Sequence, residues 1–409
     1  MRILFLHDDP PTGAHGGAAV AMDRLRRGLA SSGHEVMLVT THREGNPIDR
    51  RHDTVGEIAS IRTAYDLRRR HWRCIRNPDT LSPLDQILQE IKPDVVHAHN
   101  IHTYLSYESL LHASRVTSSV FLTAHDTFLV SFHRLGSEGY LGDTLAGRLH
   151  RMSWLDHVRV VGRRFNPFRN RAIRRILHQS GTTVIAVSHA LESFLQANAI
   201  ERTVTIHNAG SGNAPASAED IAAFRTRHTL SGPTILFGGR LSVEKGFDAL
   251  LHVMEKVLQT IPSAQLIIIG DHERARPFLE RARPEVQAAT RVTGWIAPEQ
   301  MSIAYGAADV VTTPSLYLDA FNLMNVEAME ASRPVVASCF GAATEIIEDG
   351  TSGFIVDPRD TDAYAHSILT LLRNEPLRRR MGETGQKRSR EEFSLLKQVA
   401  AHVQLYGGH

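Results

Sequence analysis

Two acids eight residues apart are the first feature of the sequence that suggests chemistry. Asp319 and Glu327 lie in the stretch PSLYLDAFNLMNVEAMEASRPVVAS (residues 314–338), on either side of a predicted helix start at Asn322 and Leu323. The first amides of a helix lack partners within the helix and carry partial positive charge, and carboxylates accept hydrogen bonds from hydroxyls. The pattern favours a ligand with phosphate and hydroxyl groups. The structural alternative is that Glu327 complements the helix dipole and Asp319 caps the loop.

Two cations flank a glycine-rich turn in the stretch GGRLSVEKGFDALL (residues 238–251). Arg240 follows a predicted strand and Lys245 precedes the next predicted helix, so both can reach one anionic group from the two sides of the turn. Charge-assisted hydrogen bonds contribute about 1.5–3 kcal/mol each, which is enough for two of them to hold a diphosphate. Surface solvation is the alternative for either cation alone.

A further pair of glycines, Gly16 and Gly17, directly precedes a predicted helix at residues 18–30. Glycines at such a position let the backbone approach a phosphate closely, although a plain turn explains the pair equally well. The sequence matches neither the G-x-G-x-x-G fingerprint nor the P-loop pattern. These absences argue against dinucleotide redox chemistry and nucleoside-triphosphate hydrolysis.

Three histidines lie on or after neighbouring predicted strands. His97 and His99 share one face of a strand, and His125 follows the carboxyl end of the next. A zinc site made of these three is conceivable but disfavoured, because no cysteine or carboxylate completes a recognisable spacing. Histidines of a ligand cleft are the preferred interpretation, with His125 placed to contact the ligand.

The elements that must position these residues alternate between strand-like and helix-like runs, which predicts a parallel α/β architecture. Near-continuous apolar runs of the kind found in doubly covered strands occur at residues 2–7, 35–40, 94–100, 119–125, 182–188, 204–208, 233–240, 265–270, 290–294, 309–315, 334–338 and 353–357. A loop at residues 208–217 separates the two halves. We therefore expect two Rossmann-like, doubly wound domains, whose strand ends face a central cleft where ligands bind.

Composition excludes several classes of protein. With 409 residues, 42% hydrophobic and 22% charged, the chain is expected to form two ordinary domains. Only two cysteines are present, no run approaches the roughly 20 apolar residues of a membrane span, and the apolar N-terminal run stops at Asp8. We expect a cytoplasmic protein without a nucleic-acid partner. Arginine clusters near residues 62–76 and 148–175 leave open a peripheral contact with anionic lipid at the inner face of the membrane, or with an anionic acceptor.

Taken in order, the motifs resemble glycosyltransferase family 4, retaining enzymes of the GT-B fold. The resemblance covers nearly the full length and rests on the Gly16-Gly17 loop, GHEV (33–36), PDVVHAHN (93–100), TAHD (123–126), VSHALESFL (187–195), GGRLSVEKG (238–246), the D-x7-E stretch and PVVASCFGAATEIIEDGTSGFIVDP (334–358). It implies an acceptor-side domain of residues 1–208, with a terminal helix of about 392–409 packed back on it. It also implies a nucleotide-sugar-binding domain of residues 209–391.

The resemblance also implies a role for each matching residue. The residues implied in catalysis are His125, Arg240, Lys245 and Asp319. The residues implied in donor binding are Gly16, Gly17, Arg240, Lys245, Gly294, Ile296, Asp319, Asn322, Leu323, Met324 and Glu327. The two cations would neutralise the donor diphosphate, Glu327 would bind the ribose, and Asp319 would meet the sugar near its C3 hydroxyl. His125 would contact the sugar beside the anomeric centre, and the base would lie near Gly294 and Ile296.

Two positions depart from the usual family pattern. Asp319 stands where glutamate is usual, and Asn322 stands where glycine is frequent. A shorter acid must draw the sugar closer or bind it through water, so the identity of the sugar is open.

The function expected from this resemblance is retaining transfer from a UDP- or GDP-sugar to an acceptor hydroxyl, in the assembly of cell-envelope or exopolysaccharide glycans. The acceptor would be a saccharide or a lipid-linked saccharide. We expect no cofactor and no metal, because Arg240, Lys245 and the helix end at Leu323 would stabilise the leaving diphosphate without one. Two alternatives remain at this level: a nucleotide-sugar epimerase on the same fold, and a catalytically inactive protein that docks on membranes.

Overall fold

The protein, described here by a computed structural model, divides into two compact units. The structure describes residues 1–10, 16–133 and 135–408, and only the backbone of Val160. The first unit consists of Met1–Leu135, Ala146–Asn208 and Leu395–His409, and the second consists of Gly136–Leu145 and Ala209–Ser394. Residues 136–145, which the sequence analysis placed in the first domain, thus lie in the second unit.

The strands of the first unit form one sheet in the order β3-β4-β2-β1-β5-β6-β7-β8. They are β1 (Arg2–His7), β2 (Glu35–His42), β3 (Ile48–His52), β4 (Glu57–Arg62), β5 (Val95–His99), β6 (Val120–Ala124), β7 (Thr183–Ala186) and β8 (Thr203–Thr205). All neighbouring strands pair in parallel except β3, which pairs with β4 in antiparallel orientation. The strands β3 and β4 were not predicted from the sequence, and β3 adds one antiparallel edge strand to the predicted parallel sheet.

The second unit has a parallel sheet in the order β11-β10-β9-β12-β13-β14. Its strands are β9 (Thr234–Gly238), β10 (Gln265–Ile269), β11 (Thr290–Val292), β12 (Val310–Thr313), β13 (Val335–Ser338) and β14 (Gly353–Val356). Because β9 and β12 are neighbours, with Val311 opposite Leu236, the loops that follow them leave the sheet side by side. The predicted cations lie in the first of these loops and Asp319 lies in the second.

Helices connect the strands in both units. The helices are α1 (Gly17–Ser31), α2 (Arg70–Arg73), α3 (Pro78–Ile91), α4 (Ser109–Ala113), α5 (Glu138–Leu145), α6 (Trp154–Val161), α7 (Arg169–Gln179), α8 (His189–Ala197), α9 (Ala218–Arg227), α10 (Phe247–Thr260), α11 (His272–Leu279), α12 (Pro284–Ala289), α13 (Met301–Ala307), α14 (Leu323–Glu330), α15 (Ala343–Ile346), α16 (Thr361–Arg373), α17 (Glu375–Glu392) and α18 (Leu395–Gly407). Short 3-10 helices span Leu67–Arg69, Gly162–Arg164 and Pro298–Gln300. Among the described residues, no helix is both long and apolar enough to span a bilayer.

Apolar faces explain how these elements pack. In α1, Met22, Leu25 and Leu29 recur at helical spacing and join the buried core of the first sheet. The terminal helix α18 joins the same core through Val399, whose side chain would lie 2.7 Å from a Cβ atom on Gly28 of α1. Glycine at this position therefore lets the two helices approach closely.

Candidate functional site

The loop between β9 and α10 is anchored to the end of β12. Gly246 precedes α10 with a φ of 73°, and a Cβ atom on it would lie 1.7 Å from the carbonyl oxygen of Pro314. The Leu316 amide donates to the carbonyl oxygen of Glu244 over 2.7 Å. Glycine permits both the backbone conformation and the close approach, and the result places Lys245 beside the loop that follows β12.

Lys245 and Asp319 form an ion pair at this junction. The Lys245 Nζ atom lies 2.8 Å from Asp319 Oδ2. Ser315 Oγ and Asn322 Nδ2 donate to the same oxygen over 2.9 and 3.1 Å. The ammonium group lies 5.2 Å from the centre of the Tyr317 ring. Because the paired side chains are only 16% and 12% exposed, salt screens their attraction weakly.

The surroundings keep both members of the pair ionised. Burial alone raises the pKa of Asp319, but the charge and hydrogen bond of Lys245 outweigh it, so that the pKa lies below its ordinary value. Burial likewise lowers the pKa of Lys245, and the opposing effects of Asp319 and Tyr317 hold it above its ordinary value. At neutral pH the site therefore holds one positive and one negative charge in contact.

Asn322 connects the ion pair to the start of α14. Its Oδ1 atom accepts a hydrogen bond from the Met324 amide over 3.2 Å, while its Nδ2 atom donates to Asp319. Leu323 is the first residue of the helix, so the amides at this end have no partner within the helix. The Met324 side chain packs against β9, where a Cβ atom on Gly238 would lie 3.0 Å from its methyl group. The structure thus brings the predicted residues at the start of this helix to the ion pair.

Glu327 lies in the middle of α14, and its contacts differ from those of the Lys245–Asp319 pair. It is 8% exposed, and its Oε2 atom accepts a hydrogen bond from the Tyr305 hydroxyl over 2.8 Å. It lines a small cavity together with Ser211 and Asn213. One turn later, Glu330 accepts hydrogen bonds from the amide and hydroxyl of Ser211 over 2.9 and 2.7 Å. Two acids of one helix therefore face polar groups, and Glu330 fixes the loop that follows Asn208.

The other donor residues predicted in the second unit lie on loops after its strands. Arg240 is exposed and comes two residues after the end of β9. Gly294 has a φ of 77° and forms an isolated bridge with Gly270 after β10. Ile296 is half-buried in the loop between β11 and the 3-10 helix Pro298–Gln300. Arg240 thus follows β9, whereas Gly294 and Ile296 follow β11, and β10 lies between these two strands in the sheet.

The glycine pair of the first unit opens α1. Gly16 has extended backbone, with φ −62° and ψ 175°, and Gly17 is the first helical residue. Among the described residues, no atom lies within 4 Å of the position that a Cβ atom on Gly16 would take. Packing among the described residues therefore does not demand glycine at position 16, in contrast to Gly246. Most of the loop before this pair, residues 11–15, lies outside the described residues.

His125 follows β6 and contacts a second histidine. Its Nε2 atom lies 2.9 Å from His99 Nδ1, and the two rings stack with their centres 5.2 Å apart. Burial, helped by the nearby His7, lowers the pKa of His125 to about 3. Its imidazole is therefore neutral at physiological pH and can both donate and accept a hydrogen bond.

His97 is a hydrogen-bonded residue of the core. Its Nδ1 atom lies 2.6 Å from the Tyr406 hydroxyl of α18, and its Nε2 atom lies 2.7 Å from Thr123 Oγ1. Both ring nitrogens are thus occupied, which is inconsistent with the disfavoured zinc site of His97, His99 and His125.

The sequence analysis missed a buried acid, Asp8, at the end of β1. Its carboxylate accepts hydrogen bonds from the amides of Thr103, Tyr104 and Leu105 over 2.6, 2.9 and 2.8 Å. Burial raises its pKa to about 7 in spite of these bonds. Asp8 therefore shapes the loop after β5, and the only signal in the sequence was an acid that directly follows a buried strand.

A second missed contribution comes from α5. A Cβ atom on Gly136 would lie 2.8 Å from the Leu316 carbonyl oxygen. The Tyr140 side chain hydrogen bonds with the backbone at Gly341, and Gly341 in turn packs directly on the backbone of Asp319. The segment before α6 thus supports the loop that carries the acid, which the sequence order does not suggest.

Comparisons with known proteins match both units. A family model described as Glycosyltransferase Family 4 matches residues 15–209, and one described as Glycosyl transferases group 1 matches residues 219–388. An uncharacterized glycosyltransferase of Methanocaldococcus jannaschii is 25% identical over 96% of this chain and 95% of its own length.

Two solved structures show the same fold. Sucrose-phosphate synthase from Thermosynechococcus elongatus superimposes with a TM-score of 0.74 at 20% identity, covering 100% of this chain and 98% of its own. Anabaena HepE, solved with UDP and glucose, gives a TM-score of 0.72 at 18% identity and covers 100% of both chains. The motifs, the two parallel-sheet units and the paired family models agree, and the chain belongs to glycosyltransferase family 4, with the GT-B fold.

Proposed function

We propose that this glycosyltransferase moves a hexosyl group from a nucleoside-diphosphate sugar to an acceptor hydroxyl, with retention of configuration at the anomeric carbon. The observation that carries this proposal is the Lys245–Asp319 pair at the N-terminus of α14. A shielded ammonium group beside the partial positive charge of a helix N-terminus suits a diphosphate, on which negative charge develops when the sugar leaves.

Lys245 can bind the diphosphate and keep its hydrogen bond to Asp319. An ammonium group has three N–H donors, so the bond to Asp319 does not exhaust it. Arg240, on the same loop, brings a second positive charge, and the start of α14 adds the Leu323 amide. The Met324 amide donates to Asn322 Oδ1 and exchanges this bond for one to the ligand. Gly16 and Gly17 add backbone at the start of α1, where no described residue occupies the space beside Gly16.

Asp319 first orients Lys245 and then meets the sugar. Its Oδ2 atom already accepts from Lys245, Ser315 and Asn322, so the shorter acid is tied to the phosphate side of the site. Glu327, with Tyr305 on one oxygen, binds the ribose hydroxyls. The base lies against the backbone near Gly294 and Ile296.

The donor base is uracil or guanine. UDP-sugars are the preferred donors in this proposal, because Anabaena HepE, which has the same fold, was solved with UDP and glucose. The acceptor is a saccharide or a lipid-linked saccharide used in glycan assembly. It attacks from the same face as the leaving diphosphate, whose oxygen takes the proton, while the neutral His125 contacts the sugar. No metal enters this scheme, and EDTA is expected to leave the rate of transfer unchanged.

A panel of UDP, GDP, ADP and their sugars tests the donor by thermal shift, since a ligand of the native state stabilises it by mass action. We expect a uridine or guanosine diphosphate to raise the melting temperature, and Lys245→Ala to abolish that rise. Lys256→Ala is the matched control, because Lys256 pairs with Asp362 on the exposed surface of the same unit. Unchanged turnover of Lys245→Ala would remove the phosphate role.

The stereochemistry needs a separate measurement. The anomeric configuration of the first product, read by NMR at early times, is expected to equal that of the donor. Donor consumed without any acceptor, with an epimerised nucleotide sugar as product, would favour the epimerase instead.

A further inference from the structure

One surface of the first unit is strongly basic. It is formed by two segments, residues 66–76 and 154–175, which together we name the basic face. The first segment contains five arginines and the second contains seven, against one aspartate in each. The two aspartates, Asp66 and Asp156, both act as local caps, accepting hydrogen bonds from Arg68 and Ser153 amides over 2.9 and 2.8 Å. The face therefore carries a large excess of positive charge.

The two segments are neighbours in space although they are far apart in the sequence. Asn166 Nδ2 donates to the carbonyl oxygen of His71 over 2.9 Å. The rings of His71 and His157 each lie 4.9 Å from the Phe132 ring, and the Phe165 ring lies 5.6 Å from it. One aromatic cluster thus holds α2 and α6 together beneath a shared surface.

Large apolar side chains stand exposed on the basic face. Trp72 is 54% exposed, Trp154 65% and Phe168 65%. Leu67 and Leu155 are 53% and 46% exposed. Exposed arginines stand among them, at positions 68, 69, 76, 159, 163, 164, 171, 174 and 175. Clustered apolar groups of this size on a surface usually indicate an interaction site.

We propose that the basic face docks on the surface of an anionic lipid bilayer. Tryptophan rings favour the boundary between headgroups and acyl chains, and arginines attract anionic headgroups. Leu67 and Leu155 add aliphatic groups that can enter the acyl boundary. Such leucines would gain nothing from stacking on the bases of a nucleic acid, so the lipid surface fits this combination of residues better.

The chain's own tryptophans allow a direct test with the full-length protein. It has three, Trp72, Trp154 and Trp295, and Trp295 is 60% exposed in the second unit. Single-tryptophan variants are made by replacing the other two with phenylalanine. With vesicles of phosphatidylcholine and phosphatidylglycerol, we expect the emission of Trp72 and of Trp154 to shift to the blue and to be quenched by brominated acyl chains. The emission of Trp295 should not change. Equal responses from all three tryptophans, or none from Trp72 and Trp154, would overturn the proposal.

Charge is tested by co-sedimentation with the same vesicles. Each arginine near an anionic surface strengthens binding about fivefold, so Arg163→Gln combined with Arg164→Gln should lower the partition coefficient about 25-fold. The control replaces Arg379 and Arg380, exposed on α17 of the second unit, with glutamine and should leave it unchanged. Binding should weaken with added salt and fail with phosphatidylcholine alone. Equal losses in both double variants, or binding to single-stranded RNA with no binding to vesicles, would contradict the proposal.

Discussion

The ion pair of Lys245 and Asp319 can be tested by a double-mutant cycle of Lys245→Met, Asp319→Asn and the combined variant. The two charged atoms lie 2.8 Å apart and their side chains are 16% and 12% exposed. Removing one partner of a buried pair costs about 3–5 kcal/mol. Because both groups retain some contact with water, we expect about 3 kcal/mol for Asp319→Asn, near the lower end of that range.

The coupling energy isolates the interaction between the two side chains. A hydrogen bond between charged groups contributes about 1.5–3 kcal/mol, so the combined variant should be about 2 kcal/mol more stable than the sum of the single losses implies. The assay is native-state hydrogen exchange of amides in β9 and β12, the central strands of the second sheet. Their opening reports on that unit alone.

Two results would refute this reasoning. If the losses of stability in the single variants simply add up in the combined variant, the two charges do not interact in solution. If each single variant loses less than about 0.5 kcal/mol, the pair contributes no more than an ordinary surface ion pair. Saturating UDP supplies a further check, because a diphosphate that recruits Lys245 should reduce its coupling to Asp319.

Three further predictions follow from other parts of the chain. Gly246→Ala should destabilise the second unit by more than Gly350→Ala in thermal melts, because both glycines have positive φ but only the first would also meet a backbone carbonyl. Asp53→Asn should lower the free energy of unfolding in urea at pH 7 by about 2 kcal/mol, since it leaves the fully buried Arg26 paired with Asp23 alone among the described residues. Burial raises the Asp53 pKa, but Arg26 outweighs this effect and lowers the pKa to about 2. The stability that results is fully present above pH about 4 and is lost as the pH falls through the folded value. The loss caused by Asp53→Asn should therefore vanish near pH 2. Buried histidines of the first unit, such as His125, have lowered pKa values. Each can therefore remove up to about 1.4 kcal/mol of stability per pH unit below pH about 6.5. As the pH falls through this range, we expect hydrogen exchange to show the first unit opening before the second.

The sequence predicts most strands because their cause is local. Each buried strand, such as Arg2–His7 or Gln265–Ile269, is a continuous apolar run, and alternation with helical stretches indicates the parallel sheets. The strand Ile48–His52 escaped prediction because it is polar and largely exposed at a sheet edge. It forms through pairing with β4, which no pattern within five residues can reveal.

The sequence supplies candidate site residues but not the contacts between them. Spacing and the family resemblance predict Lys245 and Asp319 as separate ligands of phosphate and sugar. They do not predict that the two side chains bind each other, because this contact depends on β9 and β12 being neighbours. Likewise, nothing near Glu327 in the sequence indicates Tyr305. The geometry shows what the short side chain at position 319 contacts. Asp319 Oδ2 lies 2.8 Å from Lys245 Nζ, and Ser315 and Asn322 donate to the same oxygen. The aspartate at position 319 therefore reaches Lys245 directly, and the double-mutant cycle measures how strongly this contact couples the acid to the predicted phosphate ligand.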